Sequence, residues 1–327
     1  MKTVVIGYGS IGSRHARILR ELGCYVAIVT QQSLESYPHY PSLEEAVSSE
    51  KPEYVVVANR TSAHHHSLWE LSRLGFQGIT LVEKPLFHEI FPYPGGKQKI
   101  FVGYNLRFHP VVQRLYSLLQ SAQILTMQVY VGQYLPTWRP QQDYRASYSA
   151  HREEGGGVLL DLSHELDYLR WMLGEWTSLT ALGGHVSTLE ITSDDIFLLL
   201  LSMERCPALT LQMNYLDRVT HREILINTNE HTIKADLVHS TLSLDGISQS
   251  FEINRDDTYR KQHASILQHD FQYLCSLEEG MKVLQMIKAA EQAAQEQTWI
   301  TYPKNDSVPF APEADPKESK IRISENF

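Results

Sequence analysis

Near the start of the chain, Gly7-Tyr8-Gly9-Ser10-Ile11-Gly12 carries a G-x-G-x-x-G pattern. That spacing suits one chemistry, the cradling of a dinucleotide pyrophosphate. The first glycine permits a tight turn, the second lets backbone approach phosphate, and the third lets helix and strand pack closely. A bare match is weak. Here it follows the apolar run Lys2–Ile6 and opens the segment Ser10–Leu22, in which Ile11, Ile18, Leu19 and Leu22 recur at helical spacing. The unpaired N–H groups at such a helix start add positive potential for phosphate. If the cofactor is NAD, an acid about 20 residues further on should bind the ribose. The second strand instead ends in Val29-Thr30-Gln31-Gln32-Ser33, with no acid before Glu35. Nothing there repels a 2′-phosphate, and Arg14 is a candidate to hold one. The expected cofactor is NAD or NADP, with the balance toward NADP.

The elements that must position this loop alternate. Strand-like runs at Tyr25–Thr30, Tyr54–Ala58, Ile79–Val82 and Ile100–Gly103 are separated by helical segments at Ser42–Ser49 and Ser62–Leu74. Ser42 with Glu45 three residues on reads as a capping box. Alternation of this kind predicts a doubly wound parallel sheet, here a dinucleotide-binding Rossmann domain over residues 1–103. The period then changes. After a helix at Pro110–Leu119, strands are expected at Ile124–Leu135, Ser178–His185, Asp195–Met203, Ala208–Tyr215, Glu223–Asn227, Thr232–Asp236 and Phe251–Ile253. Turn signals such as Asp245-Gly246 separate them, which predicts a largely antiparallel open sheet. One strong helix at Gly156–Leu173 interrupts it, and helical segments return at Asp257–Ser276 and Leu277–Gln295. Residues 104–301 thus read as an α+β substrate-binding and oligomerisation domain, and 302–327 as a polar arm or tail.

Composition excludes several classes. The 29 basic and 38 acidic residues give a net charge of −9, so no basic face for nucleic acid or anionic membrane is expected. No apolar run approaches the roughly 18 residues of a membrane span. The N-terminus reads directly as a strand and turn rather than a signal peptide. Cys24, Cys206 and Cys275 are odd in number and widely spaced, which argues for reduced thiols in a cytoplasmic protein and against a cysteine metal site. His64, His65 and His66 would point in different directions on a helix, so no metal is expected there either.

Further motifs follow the glycine loop in order: Ala58-Asn59-Arg60-Thr61-Ser62-Ala63-His64, Val82-Glu83-Lys84-Pro85-Leu86, Gly103-Tyr104-Asn105-Leu106-Arg107-Phe108 and Gly155-Gly156-Gly157 through Asp161 to His164. Together they resemble the Gfo/Idh/MocA oxidoreductases over about residues 1–300. The resemblance implies NAD(P)-linked redox chemistry on sugars, polyols and their derivatives. It implies that Asn59, Arg60, Thr61, His64, Glu83 and Lys84 join Thr30 and the glycine loop around the cofactor, and that Lys84 is also catalytic. Lys84 closes a parallel strand at the end where ligands bind in such sheets. Removing a hydride from a carbinol carbon needs a base for the hydroxyl proton, and a lysine can serve. Asn105 and Arg107 are implied to hold cofactor or substrate near it. Tyr134-Leu135-Pro136-Thr137-Trp138-Arg139-Pro140 and Asp143-Tyr144-Arg145 are similar to an active-site loop of a branch that builds surface sugars. That places Tyr134, Trp138, Arg139 and Tyr144 beside substrate.

Two departures from the family pattern stand out. The usual second segment has Asp followed four residues later by His or Tyr, whereas here Glu165 lies at plus four and His164 at plus three. On a continuous helix Asp161, His164, Glu165 and Tyr168 fall within about 100° of one another, which allows a His164–carboxylate pair. His164 is the expected acid/base or hydroxyl-orienting group, Asp161 its orienter, and Glu165 a substrate contact. The second departure is length. Between Pro85 and Val102 a long family helix is replaced by LFHEIFPYPGGKQKIF, which predicts a loop. The reading is an NAD(P)-dependent dehydrogenase of a sugar or nucleotide sugar, forming a homo-dimer or homo-tetramer through the second sheet. A glycosidase using tightly held NAD and a non-enzymatic dinucleotide sensor are the alternatives; Lys84 and His164 argue against the sensor.

Overall fold

The computed structural model describes residues 1–92 and 96–303. The first sheet contains β1 (Lys2–Ile6), β2 (Tyr25–Val29), β3 (His39–Tyr40), β4 (Tyr54–Val57), β5 (Ile79–Val82) and β6 (Lys99–Val102), all parallel, in the order β6-β5-β4-β1-β2-β3. Helices α1 (Ser10–Glu21), α2 (Leu43–Glu50) and α3 (His64–Arg73) provide three of the crossovers. The reversal of direction at β1/β4 brings the carboxyl ends of both strands to one edge, where a doubly wound sheet binds its ligand. Ser42 caps α2 as expected, its side chain accepting from the Glu45 N–H. The β5–β6 connection carries no helix among its described residues.

The second sheet is built from β7 (Ile124–Gly132), β8 (Trp176–Gly184), β9 (Ile196–Met203), β10 (Cys206–Asn214), β11 (His221–Thr228), β12 (Thr232–Asp236), β13 (Thr241–Leu244), β14 (Ile247–Ser250) and, near the C-terminus, β16 (Ile300–Thr301). Every pairing is antiparallel except β7 with β10. Alternation sets its faces. Leu199, Leu201, Leu211 and Met213 are buried, whereas Leu198 and Leu200 on the opposite face are 41% and 50% exposed. Helices α4 (Pro110–Leu119), α5 (Val158–Asp161), α6 (His164–Leu173) and α8 (Leu277–Glu296) complete the layer over the buried face, whose core is continuous with Val4, Val55 and Val102 of the first sheet. The other face of the first sheet, with Val5, Ile28, Val56 and Leu81, packs against Ile266 of α7 (Asp257–Leu267) and Leu274. The C-terminal third therefore returns to seal the dinucleotide half. It also adds β15 (Cys275–Ser276), antiparallel, to the edge of β6.

Three expected elements differ. The segment expected as helix through Ser276 stops at Leu267, because His269 adopts a left-handed conformation and residues 275–276 pair with β6. The edge strand of the second sheet expected at Phe251–Ile253 lies instead at Ile247–Ser250. Asp245 and Gly246, both at positive φ, make a two-residue hairpin turn that pairs Ile247 directly with Leu244. The strong helix expected at Gly156–Leu173 is broken into α5 and α6 at Leu162 and Ser163, with the Ser163 hydroxyl donating to the Leu160 carbonyl. The expected arm at 302–327 lies, from residue 304 on, outside the described residues. Among those residues no helix is long and apolar enough to cross a membrane.

Candidate active site

The glycine loop links β1 to α1. Gly7 lies at φ +93, and a Cβ there would sit 2.8 Å from the Asn59 Cα. A Cβ on Gly12 would overlap the Gly7 carbonyl at 2.1 Å. Gly9 differs: a Cβ there meets nothing within 4 Å. Its lack of a side chain answers to no neighbour in the protein, which is what a cradle for an approaching phosphate requires. Tyr8, Ser10 and Ile11 complete the loop. Thr30 and Asn59 follow β2 and β4 at the same sheet edge, with Arg60 and Thr61 next. The Asn59 side chain donates to the Ser67 hydroxyl at 2.9 Å, and its buried amide oxygen has no partner among the described residues. An unpaired buried acceptor beside an open glycine loop fits a dinucleotide. His64 is placed differently from expectation. It is buried, with Nδ1 3.1 Å from the Pro85 and Leu86 carbonyls and Nε2 3.3 Å from the Asn59 carbonyl. It braces the two loops instead of facing a ligand. Thr61 is likewise buried, near Gly155.

Lys84 follows β5, and its Nζ donates to the backbone carbonyl of Asp161 at 2.6 Å. The break after α5 explains why that carbonyl is available. In a continuous helix it would accept from the Glu165 N–H. Here Glu165 N donates to the Leu162 carbonyl instead. The Asp161 carboxylate accepts from Tyr148 at 2.8 Å and from Tyr215 at 2.6 Å. Burial first, and then the Asp161 charge, hold both phenols well above their ordinary pKa, so they remain donors. Trp138 stands edge-on to Tyr215 at 5.1 Å, and the Arg139 guanidinium lies 5.8 Å from the Tyr148 ring. His164 opens α6, buried and edge-on to Tyr104 at 5.6 Å, with no hydrogen-bond partner for Nδ1 among the described residues. Burial, then Lys84 and Arg222, depress its pKa well below the usual value, so it is neutral near pH 7. Sequence reasoning missed Tyr148, Tyr215 and Arg222. No local pattern marks them, because they reach the site from distant segments.

Several expected roles are corrected. His164 has no carboxylate partner, since Asp161 is taken by two tyrosines. Glu165 is paired with Arg222 at 2.9 Å and accepts from Tyr168 at 3.2 Å. Its side chain is fully buried and serves that pair rather than substrate. Arg107 is 1% exposed; it donates to Asp167 through Nε and Nη2 at 2.9 and 2.7 Å and reaches Glu279 at 3.0 Å. This is a structural staple between α6 and α8, and breaking such a buried pair costs about 3–5 kcal/mol. Asn105 donates to Thr258 at 2.7 Å and ties the chain to α7. Tyr134 lies under the Arg218 guanidinium at 3.4 Å. The Tyr144 hydroxyl accepts from the Glu190 N–H at 3.2 Å, next to an Asp143–Arg145–Glu190 ion cluster.

The buried imidazoles set a pH limit on stability. Burial depresses the pKa of His64, His164 and His263, and holds His109, with help from Arg222 and Lys261, at about 4. The unfolded chain binds these protons near pH 6.5. Their contribution is therefore intact above about 6.5 and is lost as pH falls toward the folded-state values, at about 1.4 kcal/mol per pH unit for each group. Asp194, pushed up to about 6 by burial, works in the opposite direction and offsets part of this below pH 6. Calorimetry should show the melting temperature falling by at least about 5 °C between pH 7 and pH 5. A flat profile over that interval would contradict neutral burial of these groups.

Comparison with known proteins bears on the same regions. Residues 1–91 match the family model described as the oxidoreductase family, NAD-binding Rossmann fold. Residues 112–234 match the GFO/IDH/MocA C-terminal domain. No curated protein sequence matches the chain. Among solved structures, the WlbA dehydrogenase from Bordetella pertussis in complex with NADH and UDP-GlcNAcA is similar at a TM-score of 0.78 and 18% identity, over 93% of this chain and 99% of that one. Levoglucosan dehydrogenase in complex with NADH is similar at 0.76 and 13%, over 93% and 99%. The UDP-N-acetylglucosamine 3-dehydrogenase GnnA from Acidithiobacillus ferrooxidans is similar at 0.72 and 17%, over 90% and 98%. At these identities the likeness speaks for the fold. Family models and fold together show that the chain belongs to the GFO/IDH/MocA oxidoreductase family, with an NAD-binding Rossmann domain ahead of that family's C-terminal domain.

Proposed function

We propose that the protein is an NAD(P)-dependent dehydrogenase or reductase acting on a carbinol or keto carbon of a sugar or sugar derivative. One observation carries this reading: on the sheet edge that bears the glycine cradle, the Lys84 ammonium is held on the freed Asp161 carbonyl, close enough to depress the pKa of buried His164, whose Nδ1 has no hydrogen-bond partner among the described residues. When bound, the nicotinamide supplies the hydride acceptor or donor. In reduction the Lys84 ammonium gives a proton to the oxygen that becomes the hydroxyl; oxidation is the reverse, the neutral Lys84 amine taking the hydroxyl proton and becoming that ammonium. His164, kept neutral, orients a hydroxyl through its free nitrogen. Tyr148 and Tyr215 fix Asp161, and so the carbonyl that holds the lysine.

Substrate charge is suggested by the mouth of the site. Arg139 and Arg218 are exposed, lie over tyrosine rings, and form no ion pair with an acid among the described residues. Two free guanidinium groups suit a phosphate or carboxylate, as on a nucleotide-activated sugar in surface-polysaccharide synthesis. The names of the WlbA and GnnA structures point the same way. A preference for NADP is supported by a recess beside the glycine loop, lined by Tyr8, Ser10, Arg14, Arg20 and Tyr37. Arg14 is paired there with Asp256 at 3.4 Å, whereas Arg20 lies 4.6 Å from the Tyr37 ring and forms no ion pair with an acid among the described residues. A screen of sugars and nucleotide sugars, followed by NAD(P)H absorbance with each cofactor, tests the whole reading. NADPH is expected to bind about tenfold tighter than NADH, or about 1.4 kcal/mol. Equal affinity rejects the preference, and no turnover with any sugar rejects the function.

The outward face of the second sheet supports self-association as a dimer or tetramer. Leu182, Leu198 and Leu200 are 67%, 41% and 50% exposed there, and such contiguous apolar faces mark interfaces. A monomer in sedimentation at micromolar concentration would contradict this. Three buried free cysteines support a cytoplasmic location.

A further inference from the structure

Behind the Lys84 turn lies a line of buried polar groups that the proposed chemistry does not use. His15 Nε2 is 2.8 Å from Glu83 Oε1, His15 Nδ1 is 2.7 Å from His263 Nε2, and His263 Nδ1 is 2.9 Å from the Tyr54 hydroxyl. His15, His263 and Tyr54 are fully buried, and Glu83 is 6% exposed. The four come from separate places in the fold: α1 just after the glycine loop, α7, the start of β4, and the residue that follows β5. Burial pushes the Glu83 carboxyl up, but the His15 hydrogen bond and the Lys84 charge bring it net below its ordinary value, so it is ionised. Burial holds the Tyr54 phenol well above its usual pKa, and burial with His15 holds His263 well below. His263 is the acceptor within reach of the Tyr54 hydroxyl among the described residues, and giving that proton an acceptor sets the direction of the line. Tyr54 O–H donates to His263 Nδ1, His263 Nε2–H donates to His15 Nδ1, and His15 Nε2–H donates to Glu83.

The other Glu83 oxygen, Oε2, accepts the backbone N–H of Lys84 at 3.1 Å. Gly103 leaves room for the carboxylate at this place, since a Cβ there would lie 3.0 Å from Oε1. A packed core would be satisfied by apolar side chains. A fully satisfied polar line instead specifies one geometry. We propose that His15 is a positioning residue: it locks the Glu83 carboxylate, and through it the Lys84 backbone, to the helix that carries the glycine loop, with His263 and Tyr54 fixing its tautomer. Cofactor cradle and lysine are thereby held in one register. This rests on the reading of Lys84 as the proton-transfer group.

Two amide replacements separate the links. His15→Gln places a donor where Nε2 stands and keeps the Glu83 bond. His15→Asn places its amide where Nδ1 stands and loses that bond. The Asn variant should lose about tenfold to a hundredfold in kcat, as a small misplacement can. Its sugar KM and cofactor Kd should move less than about threefold, and the Gln variant should stay within about threefold of wild type. Tyr54→Phe, which deletes one hydroxyl at the far end, should lower kcat by about threefold at unchanged cofactor affinity. Labelling of Lys84 by trinitrobenzenesulfonate, read by peptide mass spectrometry, needs no sugar and should be several-fold faster in the Asn variant than in the Gln variant. That labelling difference without wild-type turnover of any sugar would leave His15 as a positioning residue and reject the dehydrogenase reading. Equal labelling and equal kcat in the Asn and Gln variants, or kcat losses that only track the melting temperature, would overturn the proposal.

Discussion

Replacing Lys84 by methionine is expected to lower kcat by about 10²–10⁴-fold, the range a positioned proton-transfer group supplies. That is roughly 3–5 kcal/mol of barrier at about 1.4 kcal/mol per tenfold. Methionine keeps the length of the side chain and removes the ammonium. The Asp161 carbonyl loses its 2.6 Å donor, while the glycine cradle is untouched, so cofactor affinity should stay nearly constant. His164→Asn is the contrasting variant. Its imidazole is held neutral by burial, so it orients rather than titrates, and the smaller loss is expected there. For the same reason His164 should contribute no limb to the pH–kcat profile near neutrality. Measuring kcat against pH for both variants decides between them. A larger loss in His164→Asn, or full activity of Lys84→Met at every pH, would reject the assignment of Lys84.

Gly9→Val is expected to abolish dinucleotide binding in a protein that folds normally. Gly9 sits at φ −78 and ψ −166, extended backbone open to any residue, and its Cβ direction is clear for 4 Å. The protein alone therefore has no objection to a valine, and stability should change by no more than about 0.5 kcal/mol. A pyrophosphate drawn to the same backbone would meet the branched side chain, and affinity should fall by at least about a hundredfold, or roughly 2.7 kcal/mol. Gly12→Ala is the control, because its methyl would overlap the Gly7 carbonyl and should destabilise the fold itself. Calorimetric titration with NADH and NADPH reads the first variant. Unchanged affinity there would remove the loop from the cofactor site.

What could be read from sequence followed the range of the interactions involved. The parallel sheet was legible because each strand is a short apolar run and each crossover a helical period, both local signals. The Asp245-Gly246 turn was legible, yet the strand after it was misplaced, since pairing register is set by the turn and not by where apolar residues lie. Arg107 sits in a motif that implies ligand contact, but its two acids, Asp167 and Glu279, come from helices 60 and 172 residues away. Asp161 and His164 were placed on one helix face. The break at Leu162–Ser163 separated them, and Tyr148 and Tyr215 took the carboxylate. A period of 100° per residue holds only while the backbone ladder is intact, and the ladder fails here beside the candidate chemistry.

That failure also bears on efforts to make the protein more robust. Residues 162–163 would invite the substitutions that consensus or propensity-guided stabilisation favours, those that join α5 and α6 into one continuous helix. Success would return the Asp161 carbonyl to the Glu165 N–H and withdraw it from Lys84. A gain in melting temperature at this point would come with a loss of turnover, a local instance of the stability–activity trade-off. Stabilising changes belong elsewhere, and an unusually heat-resistant homologue with an unbroken helix here would have to anchor its lysine by another acceptor.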